Sequence, residues 1–119
     1  IISAEKVEIV EISNSFYESN TKLQILYYYL ECNIVEKVNF NNKYDFIIDE
    51  EGTFKNHKYG YSLPNFPNEL FANNIFVGKS TIVRFTDDGS WKFFTDKSEL
   101  QDLLKKYINE RKVYQKANY

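Results

Sequence analysis

The chain has 119 residues, 17 acidic against 15 basic side chains, and a net charge of −2. A single core is therefore expected, of a size that buries about two-thirds of the unfolded chain's surface, and the weak acidic balance excludes a dedicated nucleic-acid binder, which needs clustered Lys and Arg to neutralise phosphates. Hydrophobic residues make up 43% and aromatics 18% of the sequence, with ten Phe, ten Tyr and one Trp, so extensive disorder is also excluded and an aromatic-rich core is expected.

The single Cys32 cannot form an internal disulfide. A reducing, cytoplasmic setting is the expectation that follows. No apolar run approaches the roughly 20 residues that a membrane-crossing helix needs, so no membrane partner is expected. With no Met at its start, the sequence is expected to begin after a short trimmed leader.

In chain order, residues 5–12 (EKVEIVEI) alternate enough to predict a first strand, and residues 13–20 break the pattern. Thr21 followed by Gln24 has capping-box spacing. Leu23, Leu26, Tyr27 and Leu30 recur at three- and four-residue steps, which predicts an amphipathic helix over residues 21–31. Three consecutive tyrosines, Tyr27 to Tyr29, cannot all face one core at 100° per residue, so at least one ring is expected in solvent.

Residues 34–52 (IVEKVNFNNKYDFIIDEEG) read as a hairpin: two alternating runs meet at an Asn-Asn turn and end in a carboxylate cluster. The following segment, rich in Gly, Pro and aromatics up to Asn68, argues against any long regular element, and Pro67 suits the first turn of a short helix. Residues 80–86 and 90–94, joined by Asp87-Asp88-Gly89, predict a second hairpin. Asp96 and Glu99 suggest another capping box, opening a final helix with Leu100, Leu103, Leu104, Tyr107 and Ile108 on its buried stripe and running to about residue 113. Lys105, Lys106, Arg111, Lys112 and Lys116 gather towards its end, the side that the helix dipole favours for cations.

The predicted order is β-α-β-β-α-β-β-α. This is a single α+β domain over residues 1–119, with an antiparallel or mixed sheet, helices on one face, and frayed ends at 1–4 and 115–119. A small sheet leaves a strand edge open, so a homo-oligomer is a further expectation.

Chemistry is sparsely marked. The carboxylates of the turns at residues 49–52 and 87–89 could bind a hard cation or share a proton, but Asp or Glu before Gly is also how a chain leaves a strand, and the turn reading is preferred. His57 lies in a Lys- and Asn-rich loop without an acid or nucleophile at a telling spacing, and Cys32 reads as a small buried hydrophobe. No cofactor is called for. Arg84 and Lys92 on the second hairpin, beside Trp91 and Phe85, could cradle an anionic nucleotide by charge and stacking. With Tyr59, Tyr61 and Phe66 from the aromatic loop, these give six candidate contacts for a ligand or partner: Tyr59, Tyr61, Phe66, Arg84, Trp91 and Lys92.

Several of these segments together resemble a small plasmid- and phage-borne family of unknown function. Its pattern runs from a Leu-Gln helix start through a Y-I-E-x-V strand, an N/D-E-E-G turn and an L-P-x-N segment to a late G-x-x-x-V strand. Leu23-Gln24, Ile34 to Val38, Asp49-Glu50-Glu51-Gly52, Leu63-Pro64-Asn65 and Gly78 to Val83 carry the likeness, over roughly residues 5–86. The resemblance implies a cytoplasmic accessory protein of a mobile element and supplies no catalytic residues. Three functional readings follow: a non-enzymatic accessory protein that binds and inhibits or modulates a host component, such as one of antiviral defence; a small-ligand binder that sequesters an anionic nucleotide; and a metal-dependent hydrolase built on the acidic turns.

Overall fold

In the computed structural model, which describes residues 1–115, the chain is α+β and consists of two antiparallel sheets with helices around them. Its radius of gyration of 14.1 Å is close to the roughly 13.5 Å expected for one compact domain of this length.

Two short helices come first, α1 (Asn14–Ser19) and α2 (Lys22–Leu30). Ser13 caps α1, and Thr21 opens α2 with a reciprocal capping box: the Gln24 N–H donates to Thr21 Oγ1 (3.1 Å) and the Thr21 N–H donates to Gln24 Oε1 (2.8 Å). Ile25, Leu26 and Leu30 form the buried stripe of α2. Leu23 is exposed, and of the three tyrosines Tyr28 stands in solvent.

The hairpin forms in the predicted place. β1 (Val35–Asn39) and β2 (Tyr44–Asp49) pair with Val38 opposite Phe46, and Asn41 closes the turn by accepting from the N–H groups of Lys43 and Tyr44. β2 also pairs with β5 (Ser80–Phe85), which pairs with the short β6 (Trp91–Lys92), giving the order β1-β2-β5-β6. Between β5 and β6, Gly89 takes φ +83°, a left-handed conformation that glycine adopts without a steric penalty.

The central strand of a second sheet stands where the sequence suggested only loop. That strand is β3 (Tyr59–Ser62), flanked by β4 (Phe76–Val77) and β7 (Lys112–Gln115). Gly60 permits this packing, because a Cβ there would lie 3.0 Å from the Phe76 carbonyl oxygen. The helix expected after Pro67 is a single 3-10 turn, Glu69–Phe71.

The last helix is shorter than its periodicity suggested. α3 (Lys97–Leu103) widens into a π-turn, Leu104–Ile108, closed by the Asn109 N–H on the Leu104 carbonyl at 2.8 Å. Asp96 caps α3 through the Ser98 N–H. The Glu99 side chain does not complete a box; it accepts from the Tyr44 hydroxyl at 2.7 Å. The chain then turns at Arg111 and enters β7 antiparallel to β3, so Arg111 and Lys112 do not lie on a helix. Gln115, expected to fray, is paired with Tyr59 in β7, while Lys116 and the rest of the expected frayed end, residues 116–119, lie outside the described residues.

Helices pack on both faces of the first sheet, not on one. Alternate residues of β2 and β5 point to opposite sides. Phe46 and Ile82 join the main core with Val38, Phe40, Tyr61, Leu63, Phe66, Phe76, Leu103, Leu104 and Ile108, under α3 and the second sheet. Ile47 and Val83 face the other way, towards Leu26 and Leu30 of α2 and Cys32.

The predicted first strand is replaced by a short extended arm. Ile2 exchanges backbone hydrogen bonds with Ser80 on β5, and residues 1–3 fold back against residues 6–8 through the Ile2–Val7 bridge. Ile2, Ser3 and Ala4 are buried, so the N-terminal residues expected to fray are part of the core. Among the described residues no helix is long and apolar enough to cross a membrane.

Candidate functional site

The six candidate residues do not form one site. Tyr61 is 1% and Phe66 4% exposed. The Tyr61 hydroxyl is paired with Ser80 Oγ, and Phe66 packs edge-to-face on Phe40 (4.8 Å between centroids) and Phe46 (5.4 Å). Both are corrected from ligand contacts to core residues, because β3 and the loop after it fold over the first sheet and carry these rings inward. Tyr59, on the same strand, stays exposed.

Arg84 and Lys92 are directly opposed across β5 and β6, as the hairpin implied. Their neighbours Phe85 and Trp91 are the next register pair, and so lie on the opposite face of the sheet. Trp91 packs against the α2 cluster with its ring under the Lys22 ammonium (4.9 Å) and edge-to-face with Phe93 (5.3 Å). Arg84 is drawn to Glu99, Nη1 to Oε1 at 3.4 Å. The expected cradle of two cations beside Trp91 is thus divided by the sheet, and its arginine is engaged. The Tyr44 phenol on the same Glu99 has its pKa pushed up to about 12, by burial first and by the adjacent carboxylate second.

The acidic turns are structural. Asp49 is buried, forms an ion pair with Lys55 at 2.7 Å, and accepts from the Glu51 N–H at 2.9 Å, which turns the chain out of β2. Asp88 accepts from the Thr86 hydroxyl and the Ser90 N–H, which holds the second turn and keeps its carboxyl below the usual range. Among the described residues, no group of three His, Cys, Asp or Glu side chains could hold a metal ion. His57 is half-buried and lies near Asp49, both within 4 Å of where a Gly78 Cβ would stand. Cys32 is buried nearby, and burial together with the Asp49 charge pushes its thiol pKa up, away from the thiolate that nucleophilic chemistry needs.

What the fold does build is a cleft of about 630 Å³, bounded by the N-terminal arm, α2, the end of β6 and α3. This lies within the range of roughly 300–1,000 Å³ typical of ligand sites. Ile25, Leu26 and Leu30 of α2 form one wall, Leu100 and Leu104 another, and Ile82 and Phe94 lie at the sheet edge between them. Charges of both signs line it: Glu8 and Glu11 from the arm, Lys92 and Lys97 from the opposite side. Lys92 alone of the six candidates belongs to it. The rest of the lining escaped sequence reasoning because its residues look like ordinary core, and the available signal was the VEIVEI alternation of residues 7–12, a strand pattern that the fold leaves without a full strand partner.

No family model matches this sequence, and neither a curated protein nor a solved structure matches it.

Proposed function

We propose that the protein is a non-enzymatic binding module whose cleft receives a segment of a partner protein. The family resemblance makes the partner a host component and the protein an accessory factor of a phage or other mobile element. The observation that carries this reading is the cleft: an apolar volume of about 630 Å³ with acidic and basic residues among its lining. Such a composition suits a polypeptide, which brings apolar side chains, a polar backbone and both charge signs, better than a nucleotide, whose phosphates would meet Glu8 and Glu11 as well as the lysines.

Site-specific photocrosslinking in host cells tests it. A photoreactive residue at Ile9, Lys92 or Thr95 is expected to trap one and the same protein. The same probe at Lys58 or Lys112, exposed and outside the cleft lining, is expected to trap none. Absence of adducts at the cleft positions, or the same adducts from the control positions, would overturn the reading.

A further inference from the structure

We infer that the outer edge of β1 is a second docking site, which takes an extended strand of a partner protein in antiparallel pairing and rejects a second copy of this chain. The inference does not rest on the cleft.

Among the described residues β1 is the longest edge strand, with five residues against two each in β4 and β6 and four in β7. The Glu50 N–H donates to the Ile34 carbonyl and the Phe40 N–H to the Tyr44 carbonyl, so even-numbered residues of β1 bond β2 and odd-numbered ones point outward. At Asn39 the outward carbonyl accepts from the Asn68 side-chain amide at 3.2 Å. Val35 and Lys37 remain. Among the described residues, neither the N–H nor the carbonyl of either one meets another backbone group. Val35 is half-buried and Lys37 exposed, so this edge is open to an incoming chain.

Apolar side chains stand at both ends of the edge. Phe54, 87% exposed, and Leu70, 83% exposed, are the most exposed large apolar residues of the described chain. Phe54 ends the 3-10 turn Gly52–Phe54, just beyond Glu50, the partner of Ile34; Leu70 lies on the 3-10 turn capped by Asn68, the partner of Asn39. Both turns lie on the second-sheet side of the first sheet, since Gly52 abuts the Val77 carbonyl and Phe71 packs on the main core. Ile34 is exposed and, by alternation, points to the same side as Val38. The edge from Ile34 to Asn39 is about 17 Å long. A strand laid along it would meet apolar side chains at both ends of this face, and strand addition at an open edge is a general mode of peptide recognition.

The charges between those ends select the occupant. In a two-fold antiparallel pair of copies, outward residues oppose outward residues. The registers that engage both Val35 and Lys37 within the strand then set Glu36 opposite Glu36 or Lys37 opposite Lys37, and like charges directly opposed are destabilising. The same two charges favour a foreign strand with a basic residue opposite Glu36 and an acidic one opposite Lys37, whose ammonium is half-exposed and lies 3.7 Å from Asp45. Antiparallel to residues 38 to 34, the occupant reads apolar, acidic, basic, any residue, apolar.

Phage-displayed random dodecapeptides, panned against the intact protein, provide the probe. Enriched peptides are expected to carry that order of residues, and panning against Glu36→Lys, a substitution at an exposed position, is expected to exchange the basic residue for an acidic one. Bound peptide is expected to slow hydrogen exchange of the Val35 and Lys37 amides about tenfold, and Phe54→Ser and Leu70→Ser, which alter exposed side chains, to weaken its affinity about tenfold each. Enrichment without the charge order, the same peptides from Glu36→Lys, unchanged exchange at Val35 and Lys37, unchanged affinity in both serine variants, or no enrichment at all would each overturn the inference. So would protection of those two amides that rises with protein concentration in the absence of peptide, since the occupant would then be a second copy. The crosslinking result decides separately whether the cleft binds a partner.

Discussion

The two faces of β2 divide the molecule into regions of different character. On one face Phe46 is fully buried among Phe66 (5.4 Å) and Phe76 (5.0 Å), in a ring network closed by the second sheet. On the other, the same strand buries two carboxylates, Asp45 and Asp49, on either side of Ile47, which packs against Leu26 and Leu30 of the nine-residue α2. Alternation along a strand assigns side chains to faces but does not decide what covers each face. The ring face is held by packing. The carboxylate face is held by a smaller apolar cluster and by local electrostatics.

Truncation on the ring face is expected to have the largest effect. Phe46→Ala removes a ring that touches three others and should cost about 3–5 kcal/mol, measured as a drop in the urea midpoint with an unchanged slope. A cost below about 1.5 kcal/mol would mean that the two faces are packed alike. On the carboxylate face, Asp49→Ala removes the buried partner of Lys55 and the acceptor for the Glu51 N–H. Because the Lys55 side chain is about one-third exposed and can turn to water, the loss should be smaller, about 2 kcal/mol. Thr21→Ala opens the capping box of the helix that covers this face, and should cost about 1 kcal/mol, with selective loss of exchange protection in α2.

The same contrast governs what could be read from the sequence. The hairpin was legible because its evidence is local: alternating residues flank an Asn-Asn turn whose own side chain closes it. The capping box of α2 was legible for the same reason. Residues 5–12 alternate just as clearly, but a strand needs a neighbour, and Ile2 takes the place beside β5 while only Val7 of that run forms a bridge. β3 was hidden by the glycine and prolines around it, since Gly60 reads as a loop residue until the close approach of Phe76 is known. The end of the last helix depended on β3 as well, because residues 112–115 become a strand only with that partner. Tyr61 and Phe66 shared an aromatic signature with exposed Tyr59, and composition does not separate a core ring from a surface one. The cleft draws its walls from residues 8–12, α2, β5 and α3, and no local pattern brings those together.

The smallest expected effect has the opposite sign. Asp45 is 1% exposed; among the described residues its Oδ2 has no hydrogen-bond partner, and Lys37 Nζ lies 3.7 Å away on a half-exposed side chain. Burial pushes its carboxyl pKa up, and the Lys37 charge opposes this without cancelling it. An acid whose pKa is higher folded than unfolded binds its proton more tightly in the native state. Its contribution is therefore most favourable in acid and declines as pH rises from the unfolded value through the folded one, after which it stays constant. Asp45→Asn keeps the shape and removes the titration. The variant is expected to match the parent protein near pH 3, to exceed its stability at pH 7 by about 1 kcal/mol or less, and to show a flatter stability profile between those limits. A parent profile that rises across that range and is flattened downward by the substitution would instead make Asp45 a stabilising charge. The carboxylate face would then be held by its ion pairs more strongly than its burial pattern implies.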